Sequence, residues 1–187
     1  MRCAVFFLCL LCLFCAPVMA QDKTNAAAPP AASAAAGEEV KVESNYDKAK
    51  DETTIEFRQL KVTSSEEQQV LLSVSAVYPG RKLKKPEDVK DIIVILSVIS
   101  TRGYRYPDIM AMQVTADGNK LPEVLMLNLD KRRMDEDYLE TIGTRMKYDI
   151  FKRLTQAKTV GLRLHTLTLK LDESQITKLR ELEALLH

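Results

Sequence analysis

All four cysteines of this chain fall at its very start, at Cys3, Cys9, Cys12 and Cys15. They lie in or beside an apolar run, Ala4 to Cys15, that follows Met1-Arg2, breaks at Pro17 and closes on Val18-Met19-Ala20. A positive start, a short apolar middle and small residues just before the cut are the pattern of a secretory signal peptide. Residues 1–20 are therefore expected to be removed after Ala20. The run is shorter than the roughly 20 apolar residues that span a bilayer. Neither Cys12 nor Cys15 follows a small residue, as a lipoprotein signal would need. A chain beginning at Gln21 has no cysteine and so no disulfides, and a hydrophobic core alone must hold it together. The same absence excludes a thiol nucleophile, a CxxC redox pair and Cys-ligated zinc.

Charge adds little. The chain carries 27 Lys+Arg and 26 Asp+Glu, and Arg2 is the only charged residue among the first twenty, so their removal leaves 26 of each sign. No global field draws such a protein to nucleic acid or to an anionic membrane. Tryptophan is absent, and only Phe57 and Phe151 remain as phenylalanines after Ala20. Sugar and base platforms, which lean on aromatic faces, are disfavoured.

Residues 26–36 read AAAPPAASAAA. Pro29-Pro30 interrupts any helix that the alanines favour, and nothing apolar recurs at helical spacing, so residues 21–39 are expected to be a flexible tether. From Val40 to His187 the chain has the size of one domain, and its texture is β. Thr53–Val62 alternates apolar and polar, with Ile55, Phe57 and Val62 as inward candidates. Gln69–Tyr78 places Val70, Leu72, Val74, Ala76 and Tyr78 on one face. Asp91–Ser100 is apolar on both faces, as a central strand covered on both sides would be. Asp117-Gly118 marks a hairpin between Met112–Thr115 and Leu121–Leu129.

Tyr138–Met146 is weakly strand-like, and Asp149–Ala157 reads as a short helix with Ile150, Phe151 and Leu154 inward. Val160–Leu171 alternates, but its apolar side switches near His165-Thr166, which implies a bulge or twist there. Asp172-Glu173-Ser174-Gln175 opens a terminal amphipathic helix striped by Ile176, Leu179, Leu182 and Leu186. The expected fold is mainly β: a β-sandwich of about seven or eight strands with a short internal helix and a C-terminal helix.

Three segments resemble a group of exported bacterial proteins of unknown function. Tyr46-Asp47-Lys48-Ala49-Lys50-Asp51-Glu52-Thr53-Thr54 is similar to that group's Tyr-Asp-Lys-Phe-Lys-Asp-x-Thr-Thr start. Ile150–Leu154 with Ala157-Lys158-Thr159-Val160 resembles its short helix and the Ala-Lys-x-Val that leads to its last strand, and Leu171–Ile176 its usual end. The likeness covers roughly residues 43–187 and departs at Ala49, where an aromatic residue is expected, and at His165, where glycine is expected. It implies this fold and export, and no known activity.

Candidate sites are few. His187 ends the chain, and His165 is a lone histidine in an alternating segment, poor as a base and poorer as a zinc ligand. Asp135-Glu136-Asp137 lacks the spacing of a calcium loop and reads as a solvated turn. No GxSxG, HExxH, P-loop or GxGxxG occurs, and no catalytic, cofactor or metal residues are assigned. The candidate contact surface combines two basic runs, Arg81, Lys82, Lys84 and Lys85 with Lys131, Arg132 and Arg133, and the Tyr104-Arg105-Tyr106-Pro107 segment. Charge at strand ends also guards against edge association. The function expected is that of an exported, periplasmic or secreted, non-enzymatic binding or accessory module for an envelope protein or surface. The alternatives are a hydrolase built on dispersed carboxylates or His165, and an anionic-membrane binder acting through the basic runs.

Overall fold

The period-two pattern of Gln69–Tyr78 is realised as a strand in which Val70, Leu72, Val74, Ala76 and Tyr78 are all buried. A computed structural model describes residues 40–89 and 91–187. The expected signal peptide, its cleavage site and the tether lie outside the described residues. The described residues form ten strands: β1 (Glu43–Asp47), β2 (Glu52–Ser64), β3 (Gln68–Pro79), β4 (Asp91–Ser100), β5 (Ile109–Ala116), β6 (Asn119–Lys120), β7 (Val124–Met134), β8 (Asp137–Met146), β9 (Val160–Leu164) and β10 (Leu167–Leu171). Two helices, α1 (Tyr148–Gln156) and α2 (Glu173–Ala184), complete the core, and a 3-10 turn at Pro86–Asp88 sits in the β3–β4 loop.

The strands form one antiparallel sheet in the order β1-β2-β3-β4-β8-β7-β5-β9-β10, with β6 paired to β5. The sheet curls until β10 approaches β2, giving a half-barrel rather than the two sheets of a sandwich. Bulges in β2 promote that curl. The register against β3 shifts between Phe57 and Leu60 and again between Lys61 and Thr63, and each extra residue adds local twist. The first bulge also explains how Phe57 and Val62, an odd number of residues apart, both reach the core. Gln59 takes a positive φ of 59°, and its N–H donates to Ser73 Oγ at 2.9 Å.

The role of a second layer passes to the helices. Ile150, Phe151 and Leu154 of α1, and Ile176, Leu179 and Leu182 of α2, are buried in one cluster with the inward residues of the strands. α2 begins with the expected capping box: the Asp172 carboxylate accepts from the Gln175 N–H at 2.9 Å, and the Gln175 side chain accepts from the Asp172 N–H at 2.9 Å. Gln175 Nε2 also donates to the Lys61 carbonyl at 2.7 Å, tying the helix to the β2 bulge.

The apolar switch at His165-Thr166 is a chain reversal. Leu164 pairs with Leu167, so the two residues between them form the β9–β10 turn, and His165 has φ 51°. That positive φ suits glycine best, and glycine is the residue that the resemblance places there.

Two short loops carry acid sensitivity. Hydrogen bonds from the Ser174 hydroxyl and the Gln175 N–H hold the Asp172 carboxyl below its usual range. The N–H groups of Thr159 and Lys158 do the same for Asp117, in the β5–β6 turn. A carboxylate with a depressed folded pKa stabilises the fold fully above its unfolded value, and that contribution is lost as pH falls through the folded one. Stability is therefore expected to decline from about pH 4 downward. Urea unfolding of wild type and Asp172→Ala at a series of pH values checks this. The gap between the two proteins should narrow toward pH 2, and a constant gap would refute the assignment.

Candidate functional site

The segment Thr101–Asp108 joins β4 to β5 across one end of the half-barrel, and a single buried carboxylate fastens it. Glu140 lies on the inner face of β8, 1 % exposed. Its Oε2 accepts from the Arg105 N–H at 2.8 Å, and its Oε1 from the Tyr106 N–H at 3.1 Å and from Asn128 Nδ2 at 3.2 Å. The Asn128 oxygen is buried with no hydrogen-bond partner among the described residues. Tyr106, expected at the surface, is buried at 4 % exposure and belongs to the core. Its hydroxyl accepts from Gln68 Nε2 at 3.1 Å, and burial pushes its pKa up. Arg105 is half-buried and donates to Gln68 Oε1 at 3.5 Å.

With its neighbours fixed, Tyr104 is presented outward, 46 % exposed. Its ring meets that of Tyr138 edge-on, with centroids 5.1 Å apart, and the Arg133 guanidinium lies over the Tyr138 ring at 5.8 Å. Lys131 donates to Asp108 at 2.8 Å, and Arg132 pairs with Asp130 at 3.5 Å. The structure thus brings the Tyr104–Pro107 segment and the run Lys131, Arg132 and Arg133 together at one corner.

The other basic run is elsewhere. Val77 pairs with Asp91 at the start of β4, and Ser100 pairs with Tyr138 at its end. The β3–β4 loop that carries Arg81, Lys82, Lys84 and Lys85 therefore lies at the opposite end of a ten-residue strand, roughly 30 Å away. These four side chains are exposed, and Arg81 stacks over the Tyr46 ring at 4.7 Å. One basic face drawing on both runs is not formed.

His165 is exposed in its turn. Asp135 and Glu136 form the β7–β8 turn, with Asp135 at φ 51°. Among the described residues no group of three or more His, Cys, Asp or Glu side chains is arranged to hold a metal ion. No helix among them is long and apolar enough to cross a membrane.

One feature escaped the sequence reading. Ile109, Leu125, Leu127 and Leu129 are 63, 60, 43 and 56 % exposed and adjoin one another on β5 and β7. The signal was there: Val124–Leu127 is apolar at both parities of the strand, so whichever face it buries, apolar side chains remain on the other. Comparison of the chain with family models, curated proteins and solved structures finds no match.

Proposed function

We propose that this chain is a non-enzymatic binding or accessory module of the cell envelope, exported through its N-terminal signal and acting through the corner of Tyr104, Tyr138 and Arg133. The observation that carries this reading is the Glu140 anchor. It fixes the peptides on either side of Arg105, so that the exposed tyrosine just before them is held in place before any partner arrives. Tyrosine and arginine are the residue types that dominate binding energy at protein interfaces, and pre-ordering them lowers the entropy lost on association. The resemblance to exported proteins of unknown function agrees with the export step and supplies no chemistry for catalysis.

The test is crosslinking in intact source cells, followed by recovery of the protein and mass spectrometry of what accompanies it. A dominant envelope protein should be captured by wild type. The double variant Tyr104→Ala, Arg133→Ala should capture at least about ten-fold less of it, as loss of two such contacts implies. Equal capture by a normally folded double variant rules this corner out.

A further inference from the structure

A second group of chemically capable side chains meets where α1 begins and α2 ends. β8 finishes at Met146, paired with Ile92 at the start of β4, and Tyr148 opens α1 just beyond it. The Tyr148 ring packs against the core cluster, and its hydroxyl donates to Glu183 Oε1 in the last turn of α2 at 3.0 Å. His187 Nε2 stands 2.7 Å from the same oxygen and 3.5 Å from the Tyr148 hydroxyl. Local structure sets up this meeting. Glu183 and His187 are four residues apart, the spacing that puts two side chains on one side of a helical turn. Between them the Leu186 N–H donates to the Glu183 carbonyl at 2.9 Å, and the Leu186 side chain is fully buried. The residue after it is thereby held over Glu183.

We infer that Tyr148, Glu183 and His187 form a binding site for a divalent transition-metal ion, with Cu²⁺ preferred. Geometry is the first argument. Donor atoms about 2.0–2.2 Å from one ion and spread by about 90–110° lie about 2.8–3.6 Å from one another. The three separations here are 2.7, 3.0 and 3.5 Å, so a slight adjustment lets a single ion touch all three atoms. The set holds one carboxylate and one imidazole, and its third donor is a phenol.

Charge is the second. The Glu183 side chain is only 17 % exposed, yet it pairs with no Lys or Arg among the described residues. The other two glutamates of α2 each have such a partner: Glu173 pairs with Arg180 at 2.6 Å, and Glu181 with Lys178 at 2.9 Å. Glu183 instead faces a phenol and an imidazole, both of which can donate an electron pair to a cation.

Donor type selects the ion. Ca²⁺ and Mg²⁺ take sets made of oxygen alone, whereas an imidazole suits zinc, copper and nickel. All four cysteines precede Gln21, so no thiol of the domain competes, and Cu²⁺ heads the divalent series for nitrogen and oxygen donors. On binding, the Tyr148 hydroxyl releases its proton to water, and His187 carries its hydrogen on Nδ1 and offers Nε2. The ion then ties the first residue of α1 to the end of α2, the two helices that cover the inner face of the sheet.

Calorimetric titration of the full chain with Cu²⁺, expressed and processed in cells without an affinity tag, decides the matter together with absorption spectra. Wild type should take up one equivalent at this site, develop a visible phenolate-to-copper band and melt at a higher temperature. Tyr148→Phe keeps the packed ring and should lose the band. Glu183→Gln and His187→Ala should each bind at least about ten-fold more weakly, while His165→Ala, at the other histidine, binds as wild type does. His187 is exposed, so its variant supplies an answer should Glu183→Gln fail to fold. A wild-type chain that takes up no copper overturns the inference. So does an unaltered spectrum in Tyr148→Phe, or an equivalent of copper that is lost with His165 and kept without His187.

Discussion

Replacing Glu140 with alanine is expected to cost about 3 kcal/mol of stability, because it strands buried N–H donors rather than removing one favourable contact. The Arg105 and Tyr106 amides and Asn128 Nδ2 all point at this carboxylate. Each buried donor left without an acceptor costs about 1–3 kcal/mol, and partial entry of water brings the sum below three full penalties. For a domain of this size the melting temperature should fall by about 6–12 °C. Glu140→Gln keeps one acceptor oxygen and should lose roughly half as much. Hydrogen exchange separates this from a general loosening. The Arg105 and Tyr106 amides should exchange far faster in the alanine variant, while the β3 and β4 amides slow or quicken only with global stability. The chain lacks tryptophan, so tyrosine fluorescence also reports any change in the Tyr104–Tyr138 contact. A normally protected loop in Glu140→Ala would show that the carboxylate is not its anchor.

Nothing local announces that anchor. A glutamate within Tyr138–Met146 reads as a solvent-facing strand residue, and its burial depends on amides 34 and 35 positions earlier in the chain. β3 was legible for the opposite reason: its five inward residues alternate without interruption, so period alone assigns their face. α2 was legible because its capping box and apolar stripe lie within the helix itself. Strand order was not. β8 comes between β4 and β7, and β5 pairs with β9, partners that loop length and pattern do not specify. The expected sandwich therefore became a half-barrel, since period two says which residues share a face but not how far the sheet curls. The candidate contact residues divided on the same ground. Tyr104 and Arg133 both reach the Tyr138 ring only because Ser100 and Tyr138 share a register, and the Arg81–Lys85 run is carried away to the far end of β4.

Phe151→Ala is expected to be the most damaging substitution in the core, at about 3–5 kcal/mol, or a melting temperature lower by roughly 10–15 °C. Phe151 is 1 % exposed and projects from α1 against Val94 of the sheet and Leu179 of α2, beside a small apolar void that these residues share. Deleting the ring enlarges the void, and the cost depends on how far α1 can move in to fill it. That movement is restrained. Arg180 of α2 donates from Nε to the Thr155 carbonyl at 2.9 Å and from Nη2 to the Ala157 carbonyl at 3.0 Å, which holds the C-terminal end of α1 in place. The void should stay largely open and the loss lie toward the upper end of the range. Leu129→Ala also truncates a large apolar side chain, but on the exposed outer face, and should change the stability of a single chain by less than about 0.5 kcal/mol. Urea unfolding of both variants makes the comparison, with equal slopes confirming that the folded states remain comparable. A Phe151→Ala loss below about 1 kcal/mol would mean that α1 does not plug the half-barrel, and that the sheet's inner face is closed by something other than these two helices.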